Sequence, residues 1–170
     1  MQFKARTWKF GDNINTDLIL PGFAMLMPMQ DQAKYAFSAN RPGWVDLVEQ
    51  GDVVIGGSNF GTGSGRPGAR SLKMCGVSCL VADSINGLFF RNCVNYGLFA
   101  MECPGISGAL SEGDVMEVDF DAFKVTNVTT GVQLPGLRFP QMLRDIMNAG
   151  GIYPLMEARG LLAEPNPETA

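Results

Sequence analysis

The residues with the most chemical potential lie in one run, Gly56-Gly57-Ser58-Asn59-Phe60-Gly61-Thr62-Gly63-Ser64-Gly65-Arg66-Pro67-Gly68-Ala69. A glycine-rich loop between a strand and a helix turns backbone N–H groups toward one point, and the helix N-terminus adds positive potential. Arg66 adds a forked cation that suits a carboxylate or a phosphate. Pro67 fits the first helical turn, where its missing N–H costs nothing. On physical grounds the run is an anion site. Glycines that only permit positive φ in a tight connection are the competing account, and it leaves Arg66 beside Ser64 unexplained. One anion reading is a dinucleotide site, because Gly61-Thr62-Gly63 matches part of that fingerprint and Asp83 follows about 20 residues later. Against it, Arg66 stands where the third glycine belongs, and Ser58-Asn59-Phe60 separate the strand from the glycines. No Lys-Ser/Thr pair follows, as a Walker A loop requires. A Rossmann-type nucleotide-binding module stays as the alternative.

What the chain lacks narrows the chemistry further. It has no His, so it holds no Ser-His-Asp triad, no Cys-His dyad and no His-ligated zinc. Acid–base work then needs a perturbed group or a second chain. Cys75, Cys79, Cys93 and Cys103 are spaced C-x3-C-x13-C-x9-C, too loosely for a cluster or zinc loop. They read as buried free thiols in a reducing cytoplasm, and no metal site is expected. The net charge of −4, with no basic run, argues against nucleic acid. No apolar run reaches the roughly 18 residues of a membrane span, and the first residues lead into no secretory h-region.

The elements that must position the loop follow from the pattern. The 170 residues suit one domain. Residues 3–10 read as a strand and 52–56 as a buried strand. A helix over 67–75, a strand at 77–82, a helix over 85–95 and a strand at 98–102 complete a β-loop-α-β-α-β order. That order argues a parallel sheet with right-handed crossovers. Residues 115–120 and 122–128 alternate as a hairpin about Asp121. Helices are predicted over 31–39, 43–50, 139–148 and 153–162. The turn-rich stretch 11–17 runs into Leu18-Ile19-Leu20, and Gly22-Phe23-Ala24-Met25-Leu26-Met27-Pro28-Met29 forms an apolar loop. The domain spans 1–162, and a tail over 163–170 is expected to be disordered.

Four motifs together resemble the small subunits of 3-isopropylmalate dehydratases, the swivelling domain of the aconitase superfamily. They are Gly11-Asp12-Asn13-Ile14-Asn15-Thr16-Asp17 followed by Ile19-Leu20-Pro21, Gly57-Ser58-Asn59-Phe60-Gly61-Thr62-Gly63-Ser64, Phe90-Arg91-Asn92-Cys93-Val94-Asn95-Tyr96-Gly97, and Gly150-Gly151-Ile152. The resemblance covers roughly residues 5–160 and implies an α/β fold with three layers, β/β/α, a parallel sheet plus an antiparallel one. It implies a hydro-lyase that dehydrates and rehydrates an alkyl-substituted malate, most simply isomerising isopropylmalate. Dimethylmalate or methylmalate is the substrate alternative. It also implies a large partner subunit that carries a [4Fe–4S] cluster, so this chain is expected to be active only with that partner. A homo-oligomer of the isolated chain is left open.

By the same resemblance Ser64 is the catalytic base, Asp17 an orienting aspartate, and Arg66 the carboxylate-binding arginine. Substrate contacts are implied at Gly65, Gly63 and Thr16, and at Phe23 and Met25 of the apolar loop. Simple turn capping is the competing account of Thr16 and Asp17. For Arg91-Asn92 it is helix-surface or subunit packing, and for the apolar loop it is packing on the 31–39 helix. The family usually reads G-S-S-R-E-H-A where this chain has Gly63-Ser64-Gly65-Arg66-Pro67-Gly68-Ala69. A substrate-contacting serine is therefore Gly65 here, and a Glu-His pair is Pro67-Gly68.

Overall fold

The structure is a computed structural model that describes residues 1–162. The predicted tail, 163–170, lies outside the described residues. In chain order the elements are β1 (Gln2–Lys9), α1 (Thr16–Ile19), α2 (Met29–Gln32), β2 (Val53–Gly56), α3 (Gly68–Met74), β3 (Cys79–Ala82) and α4 (Gly87–Tyr96). They continue with β4 (Phe99–Glu102), α5 (Ile106–Ala109), β5 (Val115–Asp119), β6 (Lys124–Asn127), β7 (Gln133–Pro135), α6 (Gln141–Asn148) and α7 (Ile152–Ala158).

The strands are ordered β4-β3-β2-β1-β5-β6-β7. β2, β3 and β4 are parallel, as the alternation of strand and helix requires. β5, β6 and β7 are antiparallel. The two expected sheets share one strand. Gln2–Arg6 of β1 pair antiparallel with β5, and Thr7–Lys9 pair parallel with β2. The far edges also approach each other, since the Leu137 N–H donates to the Glu102 carbonyl at 2.8 Å and the Cys103 thiol to the Pro135 carbonyl at 3.5 Å.

Period-2 alternation sorts the parallel strands between two cores. Val53, Ile55, Cys79, Val81, Phe99 and Met101 share one core with Met116, Val118 and Val125 of the antiparallel strands. Val54, Leu80, Ala82 and Ala100 share the other with Leu72 of α3 and Phe89 and Cys93 of α4. The layers are therefore β/β/α, as expected. Cys79, Cys93 and Cys103 are buried and Cys75 half-buried, and all four are free. Burial pushes Cys75 and Cys103 up to about 11 and Cys79 up to about 12, and Cys93 upward as well.

Two predicted helices are not there. The stretch read as 31–39 is the single turn of α2, continued as a 3-10 turn over Ala33–Tyr35. The stretch read as 43–50 keeps only a 3-10 turn over Trp44–Asp46. Aromatic packing overrides propensity here. Phe37 takes a left-handed φ of 55° and stacks on Phe10 at 3.9 Å, and Trp44 meets the Phe37 ring edge-on at 4.9 Å. Pattern reading also missed α1, α5 and β7, which are three or four residues each and too short to show a period.

Candidate active site

Two loops leave the carboxyl edge of the parallel strands side by side, one after β1 and one after β2, where ligands bind in open α/β sheets. Backbone bonds zip them together. The Asn13 N–H donates to the Ser58 carbonyl at 2.8 Å, Gly61 N–H to Ile14 at 2.7 Å, and Thr16 N–H to Thr62 at 2.8 Å. The Ser58 N–H also donates to Asp12 Oδ1 at 2.7 Å.

The zipper ends at α1, which holds both polar groups of the glycine loop. Asn15 caps α1, its side chain accepting the Leu18 N–H at 2.9 Å. Thr16, only 1% exposed, turns inward. Its Oγ1 accepts the Ser64 N–H at 3.0 Å, and the two hydroxyl oxygens are 3.2 Å apart. Asp17 turns outward, and its carboxylate pairs with Arg66 Nη1. The same nitrogen donates to the Leu20 carbonyl at 3.2 Å. Ser64 and Gly65 lie exposed between these ties.

The Asp17–Arg66 pair leaves room for a competing anion. Arg66 is 23% exposed and Asp17 62%, and an ion pair this open to water contributes only about 0–1 kcal/mol. A bidentate carboxylate can therefore share or replace the aspartate at the guanidinium.

The apolar loop starts at that guanidinium. A Cβ on Gly22 would lie 3.7 Å from Arg66 Nη2. The loop then turns as a 3-10 helix over Gly22–Leu26 and buries Ala24 alone. Phe23 is 51% exposed, Met25 40% and Leu26 87%, although the Phe23 ring also meets Tyr35 edge-on at 5.1 Å. The loop therefore packs in part on the turns over 29–35, where the Gln32 side chain donates to the Met27 carbonyl at 3.1 Å, and in part faces solvent.

The structure thus brings together Ser64, Gly63, Gly65, Arg66, Thr16 and Asp17, with Phe23 and Met25 on the adjoining rim. Two contributors escaped the sequence reading. The Leu20 carbonyl has no side-chain signature. Leu88, in the first turn of α4, would lie 3.9 Å from a Cβ on Gly65, and only the fold places it there. Arg91 is exposed on α4, away from the site's hydrogen bonds, and Asn92 Oδ1 is buried with no hydrogen-bond partner among the described residues. Among the described residues no three His, Cys, Asp or Glu side chains converge to hold a metal, and the thiols sit in the hydrophobic cores. This donor set does not fit a cluster within the chain.

The layered fold and the serine–arginine loop at its strand ends define an aconitase-type domain. The family described as the aconitase C-terminal domain matches residues 27–105. The chain is 39% identical over 158 residues to an isopropylmalate/citramalate isomerase small subunit of Methanocaldococcus jannaschii, covering 92% of this chain and 94% of the relative. It is 37% identical over 163 residues to a 3-isopropylmalate dehydratase small subunit of Methanosarcina acetivorans, with 95% and 99% covered. It is 35% identical over 160 residues to a 2,3-dimethylmalate dehydratase small subunit of Eubacterium barkeri, with 93% and 98% covered. The crystal structure of a 3-isopropylmalate dehydratase from Methanocaldococcus jannaschii superposes with a TM-score of 0.88 at 29% identity, over 95% of this chain and 96% of that one.

The chain belongs to the family of 3-isopropylmalate dehydratase small subunits. The Rossmann-type alternative gains no support. Asp83, its proposed ribose ligand, instead accepts the Gly105 N–H at 2.8 Å and the Ser107 hydroxyl, so it ties down the start of α5.

Proposed function

We propose that this chain is the small subunit of a hydro-lyase that dehydrates and rehydrates an alkyl-substituted malate, most simply in the isomerisation of isopropylmalate. The observation that carries this reading is the pairing of Ser64 and Arg66 on one exposed loop, each tied to α1. Arg66 holds a substrate carboxylate through its fork. Asp17 keeps the guanidinium aimed at the cleft until that carboxylate arrives. Ser64 Oγ removes the proton on the carbon next to the carboxylate, and returns a proton there on rehydration. Phe23 and Met25 surround the alkyl group and keep water from it. Gly63 and Gly65 let the substrate approach the loop backbone closely.

The site lies open at the surface and needs a second chain to enclose it. We assign that role to a large subunit carrying the [4Fe–4S] cluster, which this chain's own side chains do not fit. The assembly belongs in the cytoplasm, where the four unpaired thiols persist. Among the described residues no helix is long and apolar enough to cross a membrane.

Reconstitution tests the reading. The purified chain alone should show no turnover, and mixing with a cluster-loaded large subunit should restore it. In the reconstituted enzyme Ser64→Ala should lower kcat by about 10²-fold or more with an unchanged melting temperature. Arg66→Lys should chiefly raise KM, because an ammonium cannot reproduce the fork. Turnover by the chain alone, or near-normal kcat in Ser64→Ala, would overturn it.

A further inference from the structure

We infer that Thr16 is a positioning residue for Ser64, not a substrate contact: its hydroxyl donates the hydrogen bond that holds Ser64 Oγ as an acceptor. The inference rests on the reading of Ser64 as the base and adds the group that makes it one.

Thr16 Oγ1 can donate one proton and accept two hydrogen bonds. It accepts one from the Ser64 N–H at 3.0 Å. It is 1% exposed, so water cannot take its proton. Among the described residues the remaining partner of that oxygen is Ser64 Oγ, 3.2 Å away. Thr16 therefore grips Ser64 twice, once at the backbone and once at the side chain.

Two proton arrangements fit this pair at rest. Either hydroxyl can donate to the other. They differ once Ser64 loses its proton. A Ser64 oxyanion can only accept, and Thr16 alone of the two then has a proton to give. A hydrogen bond to a charged acceptor is roughly twice as strong as a neutral one. The contact therefore favours the deprotonated serine over the protonated one, which is what a base with an unfavourably high pKa requires.

Placement keeps the proton aimed. The Thr16 N–H is committed to the Thr62 carbonyl at 2.8 Å, two residues before Ser64. A β-branched side chain at the start of a helix has few rotamers, and the bond accepted from the Ser64 N–H at 3.0 Å holds Thr16 in the one that turns its hydroxyl to Ser64. The next residue, Asp17, holds Arg66. One turn of helix thus sets the base and the carboxylate site at a fixed separation.

The test uses the reconstituted two-subunit enzyme with isopropylmalate. Thr16→Val keeps the shape and removes the proton. It should lower kcat by about 10- to 100-fold, the worth of a hydrogen bond to a charged group, with KM within about threefold of wild type. Its activity should recover as the pH is raised, because a base that is harder to ionise needs higher pH. Thr16→Ser keeps the hydroxyl and should retain most of kcat and the wild-type pH profile. Should Thr16→Val fail to assemble, Thr16→Ala serves the same comparison with Thr16→Ser. The inference is overturned if the hydroxyl-free variants keep wild-type kcat, if Thr16→Ser is as impaired as Thr16→Val, or if the loss is the same at every pH. Normal turnover by Ser64→Ala would instead overturn the reading of the base itself.

Discussion

Gly63 lies against the Thr16 hydroxyl, and a side chain there would crowd the group that meets Ser64. Its φ is +111°, and a Cβ there would lie 2.9 Å from Thr16 Oγ1. Gly63→Ala should therefore cost about 1–3 kcal/mol of local strain and spread the Thr16–Ser64 pair. In the reconstituted enzyme kcat should fall sharply, and the melting temperature of the chain should drop. Gly65→Ala is the control. Its backbone is not left-handed, and its nearest neighbour would be Leu88 Cδ2 at 3.9 Å, so the melting temperature should hold. At this scale Ser64, Arg66 and Asp17 stand in recognisable motifs, and the structure brings the three together. Thr16 was read as a substrate contact or a turn cap. Its actual partner lies 48 residues along the chain, and only folding reveals it.

At the scale of elements, the proposed function makes α1 and the apolar loop after it one device for choosing substrate. α1 fixes the arginine, and the loop leaves directly from that arginine with Phe23, Met25 and Leu26 turned to solvent. No charge stands among Gly22–Met29, so once the proposed large subunit covers the loop, a third carboxylate placed there would be buried without a partner from this loop, at a cost of a few kcal/mol or more. Homocitrate should be a poor substrate. Met adapts its shape, and an apolar pocket separates ligands by only about 1–3 kcal/mol per methylene, so several alkylmalates should be accepted. Met25→Arg should shift the ranking toward the tricarboxylate, read as kcat/KM for isopropylmalate, a methyl-substituted malate and homocitrate. An unchanged ranking would show that the loop does not select. The long, regular elements around this device were readable from alternation and helix–strand order. The helical turns over 29–46 were not, because their shape answers to the Phe10, Phe37 and Trp44 rings and not to local propensity.

At the scale of the whole molecule, β1 is where the two halves of the sheet are joined, and Asp52 braces the junction. Its Oδ2 accepts from Arg6 at 2.8 Å, from the Trp8 indole at 2.7 Å and from the Glu49 N–H at 3.0 Å. Arg6 and Trp8 flank the point where β1 changes partner. Burial alone would raise the Asp52 carboxyl, but Arg6, the Glu49 N–H and Trp8 outweigh it and hold the group below its ordinary value. A carboxyl lowered by folding contributes its full stability above the unfolded value of about 3.9, and loses it as pH falls through the folded value. Asp52→Asn should therefore cost about 2 kcal/mol in urea unfolding at pH 7, and the gap to wild type should close below about pH 4. Equal gaps at both pH values would show that the charge is idle. The shared strand also sets a schedule for the chain's synthesis. β1 is synthesised before the other described strands, yet one neighbour begins at Val53 and the other at Val115. At about 5–20 residues per second, its second edge stays open for on the order of ten seconds. Throughout that interval Phe3 and Trp8 lie on a strand that can pair with a neighbouring nascent chain, so crowded polysomes are where this protein is most exposed to misassembly.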